Sequence, residues 1–277
     1  MVFHEVDTAF AALPDFIGWV NANGWFFDQA YVQALAEEIR NGGLEDPAEG
    51  PAAPADVLIG GQNYREGIVA FGRNCRMRAL LLEILAAQKR HGSAAKIYAP
   101  EQVTPYATLM ERLFGVGFVG SEYLPAAADR ATFPHLRHED IEKLTFKKAS
   151  FDIYFSSEVM EHIPSIPAAL AEARRVLKKG GTLLIMCPFA YGQQASVTKA
   201  KLGKDGAIEH LMAPEYHGNP VDPVGGSLVF TIPGWDILDQ IRAAGFADVT
   251  VKIRASRRYA VTGAEVAGSF IFKATAA

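Results

Sequence analysis

From Lys96 onward, short apolar runs alternate with amphipathic segments of helical spacing, and this alternation constrains the fold more than any other feature. It is the pattern of an α/β chain, in which a mostly parallel sheet is covered by helices on both faces. Candidate strands are residues 96–99, 118–122, 151–157 and 182–188. Between the first two, Thr104 as cap and Pro105 in the first turn precede apolar Tyr106, Leu109, Met110, Leu113 and Phe114, which predicts a helix. A second helix is expected over 166–179, with Lys178 and Lys179 against its dipole and Gly180 as its stop. Residues 233–244 read as a further helix, after which Val249, Val251 and Ile253 alternate as a strand and 266–273 form a last one. Two strands in succession predict an antiparallel hairpin at the end of the sheet.

The part before Lys96 is of a different kind. Residues 1–56 combine helical spacing around Tyr31, Leu35 and Ile39 with a Gly/Pro/Ala-rich stretch over 41–54, which reads as an N-terminal helical appendage and linker ahead of an α/β domain at 57–277. A helix over 74–89 buries Leu81, Ile84 and Leu85. With 27 basic against 31 acidic residues, the chain has no excess positive charge for nucleic acid. Its apolar runs are too short to span a bilayer, and acidic residues stand where a secretory leader carries basic ones, so a cytoplasmic location is expected. Cys75 and Cys187 are too few for a disulfide framework or a thiolate metal site.

In an open α/β sheet, ligands lie beyond the carboxyl ends of the strands. Four places qualify here: Ala99, Pro100 and Glu101 after the first strand, Glu122 at the end of the second, Asp140 at the end of a possible third, and 156–162 after the fourth. Glu122 follows Glu101 at about the spacing at which a carboxylate meets ribose hydroxyls. Glu101 either caps the following helix or meets a ligand ammonium group. His162 either closes a turn beside Pro164 or serves as a base. The connection 190–231 exceeds an ordinary loop, and its Tyr191, His210, Tyr216, His217, Asn219 and Asp222 suit a polar small molecule, which makes it the expected acceptor-binding segment. His210, Glu215, His217 and Asp222 have the spacing of no compact metal motif, so no metal is expected.

The run Phe151-Asp152-Ile153-Tyr154-Phe155-Ser156-Ser157-Glu158-Val159-Met160-Glu161-His162-Ile163, continued through Arg174–Gly181 to Pro188, resembles the class I S-adenosylmethionine-dependent methyltransferases. The resemblance extends from about residue 95 to the C-terminus and includes 214–220; residues 1–55 show none. It implies a Rossmann-like seven-stranded sheet ending in the hairpin, with S-adenosylmethionine as cofactor. One departure is plain: where the family usually has an acidic residue and a glycine-rich turn, this chain has Tyr98-Ala99-Pro100-Glu101, as in a divergent branch. Proline offers no N–H there. Carried over by position, Ala99, Pro100 and Glu101 lie beside the methionine part, Glu122 binds the ribose, Asp140 and Ile141 flank the adenine, and Ser157 and Glu158 line the methionine end. An arginine fork from Arg65, Arg76 and Arg78 is a candidate for the cofactor carboxylate.

The expected function is methyl transfer to a small polar acceptor, by O-methylation of a sugar or natural product, with His162 as the base. No nucleic-acid or membrane partner is expected. The alternative is a non-catalytic binding or scaffold protein on the same fold, which the missing glycines raise. A nicotinamide-dependent oxidoreductase is disfavoured because no G-x-G-x-x-G follows the first strand.

Overall fold

In the computed structural model, which describes residues 2–277, seven strands form one sheet. They are β1 (Val6–Phe10), β2 (Ile97–Ala99), β3 (Phe118–Gly120), β4 (Phe151–Ser157), β5 (Leu177–Met186), β6 (Phe246–Ala255) and β7 (Ser269–Ala276). The spatial order is β1-β6-β7-β5-β4-β2-β3. The pairs β2–β3, β2–β4 and β4–β5 are parallel, whereas β7–β5 and β1–β6 are antiparallel. The fold is α/β and Rossmann-like, with β6 and β7 neighbours as a terminal hairpin requires.

Two points correct the expected sheet. It is mixed rather than mostly parallel, because its seventh strand is β1, from the N-terminal segment that the sequence reads as helical. The strand expected to end at Asp140 is reduced to a single parallel bridge between Glu122 and His138. Glu122 N donates to the Arg137 carbonyl (2.8 Å) and Glu139 N to the Glu122 carbonyl (3.1 Å), and the pairing goes no further. Residues 129–140 include Pro134 and lack apolar alternation, so they offer little for a pleated, half-buried strand.

Helices form where apolar spacing and caps coincide. They are α1 (Leu13–Ala22), α2 (Gln29–Gly42), α3 (Cys75–His91), α4 (Pro105–Phe114), α5 (Ile166–Val176) and α6 (Ile237–Ala243). Thr104 Oγ1 accepts from Ala107 N at 3.0 Å, the cap its sequence position predicts for α4. Helix α5 stops at Val176, short of Lys179, because the chain turns straight into β5. Phe151 pairs with Leu177 but Ile153 with Thr182, so residues between them bulge out around Gly180. Lys178 Nζ anchors that bulge on both oxygens of Asp152, each at 2.8 Å.

The chain divides into two compact units, Met1–Ala87 with Thr250–Ile271, and Gln88–Val249 with Phe272–Ala277. In the first, Phe10, Phe16, Trp19, Trp25 and Phe26 pack ring against ring at 5.1 to 6.3 Å. Residues 41–54, whose composition reads as a linker, carry the short antiparallel pair Leu44–Asp46 and Gly50–Ala52. The buried Asp46 carboxylate there takes two hydrogen bonds of 2.8 Å from Arg73. The second unit holds the carboxyl ends of β2, β3 and β4, and with them the candidate site.

Gly120, the last residue of β3, lies so close to the turn after β2 that a Cβ would sit 2.9 Å from the Glu101 carbonyl and 3.1 Å from Gln102 Cβ. Gly120→Ala is therefore expected to destabilise the protein by ~1–3 kcal/mol in urea unfolding, since the turn must move to admit the methyl group.

Candidate active site

The turn that leaves β2 is held from two sides. Thr104 Oγ1 donates to Glu101 Oε2 at 3.1 Å while capping α4, and Glu101 is buried. From the end of β3, Glu122 Oε1 accepts from Gln102 N (2.7 Å) and Val103 N (3.0 Å). Burial pushes the Glu122 carboxyl above its ordinary range, and these two amides work against that rise. Glu122 thus ties the carboxyl ends of β2 and β3 together across the place where a glycine-rich turn is absent. Ala99 and Pro100 complete this turn.

Asp140 and Ile141 follow the bridge beside Glu122; Asp140 Oδ1 accepts from Glu142 N at 2.9 Å, and Ile141 is buried. Ser157, buried, ends β4. Glu158 follows with φ 56°, a left-handed conformation unfavourable for a side chain other than glycine's, and its N–H donates to the Met186 carbonyl at 2.8 Å. That turn sends the chain out of the sheet and into a single helical turn, Met160–His162.

On this turn Glu161 is fully buried, and neither carboxylate oxygen has a hydrogen-bond partner of normal length among the described residues. Facing Oε1 are His162 Nε2 at 3.4 Å and His217 Nδ1 at 3.5 Å. Both rings are held from behind. His162 Nδ1 lies 2.9 Å from the Leu228 carbonyl, which can only accept, so Nδ1 carries a proton and Nε2 is the basic nitrogen of the neutral ring. His217 Nε2 meets Glu215 Oε1 at 3.1 Å, and Lys199 binds the other oxygen of Glu215. The two imidazoles stand edge to face, 5.0 Å between centroids. Glu161 raises the His217 pKa from 6.5 to about 8, against the opposing effect of burial and with further help from Glu215.

The connection 190–231 brings His217 to this place. It is built of short antiparallel pairs, among them Tyr216–His217 with Ser227–Leu228. Phe230 N donates to the Glu161 carbonyl at 2.7 Å and Val229 N to the Glu215 carbonyl at 2.9 Å, which stitches this hairpin onto the turn after β4. Of the other residues expected here, Tyr216 and His210 are exposed. Asn219 Oδ1 and Asp222 Oδ1 accept from backbone amides of their own turn, at 2.9 Å from Val221 N and Gly225 N. The Tyr191 carbonyl accepts from Trp235 Nε1 at 2.8 Å.

The arginine fork does not form. Arg78 is buried in the first unit, where its guanidinium donates to the carbonyls of Ile68, Arg73, Tyr259 and Ala260 at 2.5 to 3.0 Å. Arg65 and Arg76 both pair with Glu66, at 2.6 and 3.0 Å.

Residues 104–185, from the cap of α4 into β5, match the family described as "Methyltransferase domain". The matched segment takes in α4, β3, β4, α5 and most of β5, the part of the chain that carries the resemblance to class I S-adenosylmethionine-dependent methyltransferases. Among its relatives, the ubiquinone/menaquinone biosynthesis C-methyltransferase UbiE of Rhizobium leguminosarum bv. trifolii is 51% identical over 45 residues, 16% of this chain and 17% of that protein. The malonyl-(acyl-carrier protein) O-methyltransferase of Erwinia pyrifoliae is 29% identical over 125 residues, 44% of each chain. This chain thus spans less than half the length of either relative. The crystal structure of Streptomyces venezuelae DesVI is 16% identical, with a TM-score of 0.45 over 74% of this chain and 94% of that one.

The donor set at these strand ends has the chemistry that the nucleoside of S-adenosylmethionine would require, since carboxylates such as Glu122 and Asp140 can accept from a ribose diol and an adenine amine. The amides of Gln102 and Val103 are already engaged by Glu122 and so do not serve the methionine carboxylate. Among the described residues, no helix is long and apolar enough to cross a membrane. Glu161 is the residue that sequence reasoning missed. Its one signal was an acidic side chain next to His162, and its partner His217 lies too far along the chain for any local spacing to link them.

If the cluster is as described, the His217 imidazole should titrate near 8 in NMR spectra of metal-free protein, and Glu161→Gln should return it toward 6.5. An unshifted His217 in the wild type would contradict the contact.

Proposed function

We propose that the protein transfers a methyl group from S-adenosylmethionine to an oxygen of a small polar acceptor, a sugar or a hydroxylated natural product. The observation that carries this reading is His162, whose Nδ1 is fixed on the Leu228 carbonyl so that its basic Nε2 stands beside a buried carboxylate just beyond the end of β4. When bound, the cofactor supplies a methyl group on a sulfonium that leaves as a neutral thioether, so the protein's work is alignment and proton removal. An acceptor hydroxyl gives its proton to His162 Nε2 as the new oxygen–carbon bond forms and the carbon–sulfur bond breaks. Glu161 Oε1, 3.4 Å from that same Nε2, stabilises the imidazolium that results through its charge, while the Leu228 carbonyl holds the ring from behind. The proton then passes to solvent.

Oxygen is favoured over nitrogen because a hydroxyl benefits from a base, whereas an amine needs only to arrive neutral. Both C- and O-methyltransferases stand among the relatives, and the second is consistent with this choice. In the same reading Ala99, Pro100, Glu101, Glu122, Asp140, Ile141, Ser157 and Glu158 contact the cofactor. The acceptor lies under the 190–231 connection, against Tyr191, His210, Tyr216, His217, Asn219 and Asp222.

Two measurements test this. Calorimetry should detect S-adenosylhomocysteine binding, weakened by ~1–3 kcal/mol in Glu122→Gln, a variant that keeps an acceptor for the two turn amides; no binding to the wild type would overturn the reading. With a panel of glycoside and phenolic acceptors, His162→Ala should lower turnover by ~10²-fold or more at nearly unchanged S-adenosylhomocysteine affinity. Wild-type turnover in that variant would leave the histidine a purely structural part.

A further inference from the structure

We propose that Glu161, His162 and His217 form a binding site for a divalent transition metal of the zinc class. One donor atom from each of these residues lies within 4.8 Å of the others. Glu161 is wholly buried, and its carboxylate is aimed into the group with no hydrogen bond of normal length to either oxygen. A carboxylate so buried calls for a compensating cation beside it.

The distances fit a small ion. Zinc bound to nitrogen and oxygen at about 2.0–2.1 Å in tetrahedral geometry keeps its ligand atoms roughly 3.3 Å apart. Glu161 Oε1 lies 3.4 Å from His162 Nε2 and 3.5 Å from His217 Nδ1, so two edges of such a tetrahedron already have about the right length. These spacings are longer than ordinary hydrogen bonds and suit two ligands sharing one ion.

The outer contacts fit as well. A metal-bound histidine directs its other ring nitrogen at a carbonyl or carboxylate, which fixes tautomer and ring orientation. His162 does so to the Leu228 carbonyl at 2.9 Å, and His217 to Glu215 at 3.1 Å. Two imidazoles and one carboxylate favour zinc and its transition-metal neighbours over magnesium or calcium, which take oxygen ligands. Three protein ligands leave a fourth position, as catalytic zinc sites do.

This goes beyond the proposed methyl transfer. A hydroxyl at the fourth position would lose its proton to solvent more readily, so the metal would take over the task assigned above to His162.

The test is metal uptake by the full chain after dialysis against EDTA, in the absence of cofactor and acceptor. Titration with zinc should show one saturable equivalent. Cobalt should give visible absorption that zinc abolishes. Glu161→Gln and His217→Asn should each weaken uptake by ~10-fold or more, and Glu215→Gln by ~10–100-fold. Circular dichroism checks folding; if Glu161→Gln does not fold, the half-exposed His217 carries the test through its own variant. No saturable uptake by the wild type, uptake unchanged in His217→Asn, or a preference for magnesium would overturn the proposal. Because binding of S-adenosylhomocysteine is measured separately, either result can fail without the other.

Discussion

A fully buried carboxylate with no ordinary hydrogen bond among the described residues calls for positive charge beside it, and Glu161 imposes that demand on the site. Its cost in isolation would be several kcal/mol, a large fraction of the net stability of a typical domain. The chain meets it with two imidazoles, one adjacent in sequence and one delivered by a hairpin from the 190–231 connection. The backbone of 228–230 serves both ends of this arrangement: the Leu228 carbonyl fixes the His162 ring, and the Val229 and Phe230 amides pin Glu215 and Glu161. These polar contacts, together with the buried side chains of Val229 and Phe230, hold the long connection in place.

The carboxyl ends of β2 and β3 follow a different logic. Nucleotide sites often present glycines so that backbone amides can approach a ligand. Here the turn is Ala-Pro-Glu, and the next two amides bind Glu122 from the neighbouring strand. The turn is held by the protein's own contacts, from Thr104 at the start of α4, Glu101 and Glu122. Close packing of Gly120 against the Glu101 carbonyl is the steric counterpart of those contacts.

Elements whose signals are local could be read from the sequence. The cap and proline of α4 and the apolar run of β4 stand where periodicity and capping put them, and the terminal pair β6 and β7 is present, its last strand three residues further along than the apolar run suggests. Signals that depend on distant partners were not legible. The pairing of β1 with β6 joins residues about 245 positions apart, and nothing in Val6–Phe10 names its partner. The bulge that lets β5 begin at Leu177 depends on Lys178 reaching Asp152. Arg78 looked available for a ligand because its fate rests on carbonyls at 259 and 260. His162 was visible as a histidine just after a strand, but the Glu161 and His217 contacts that give it chemical meaning exist only in the folded chain.

Reduction of the strand after β3 to a single bridge also bears on association between molecules. An exposed sheet edge offers a row of unpaired amides and carbonyls to any passing chain, and long flat edges invite aggregation. At this edge β3 has only three residues, and the Arg137–Glu139 segment occupies the backbone groups of Glu122 just beyond it. A foreign strand would find too few consecutive groups to establish a register. The loss of a full strand therefore does not leave a template behind, and this edge is guarded by brevity rather than by cover.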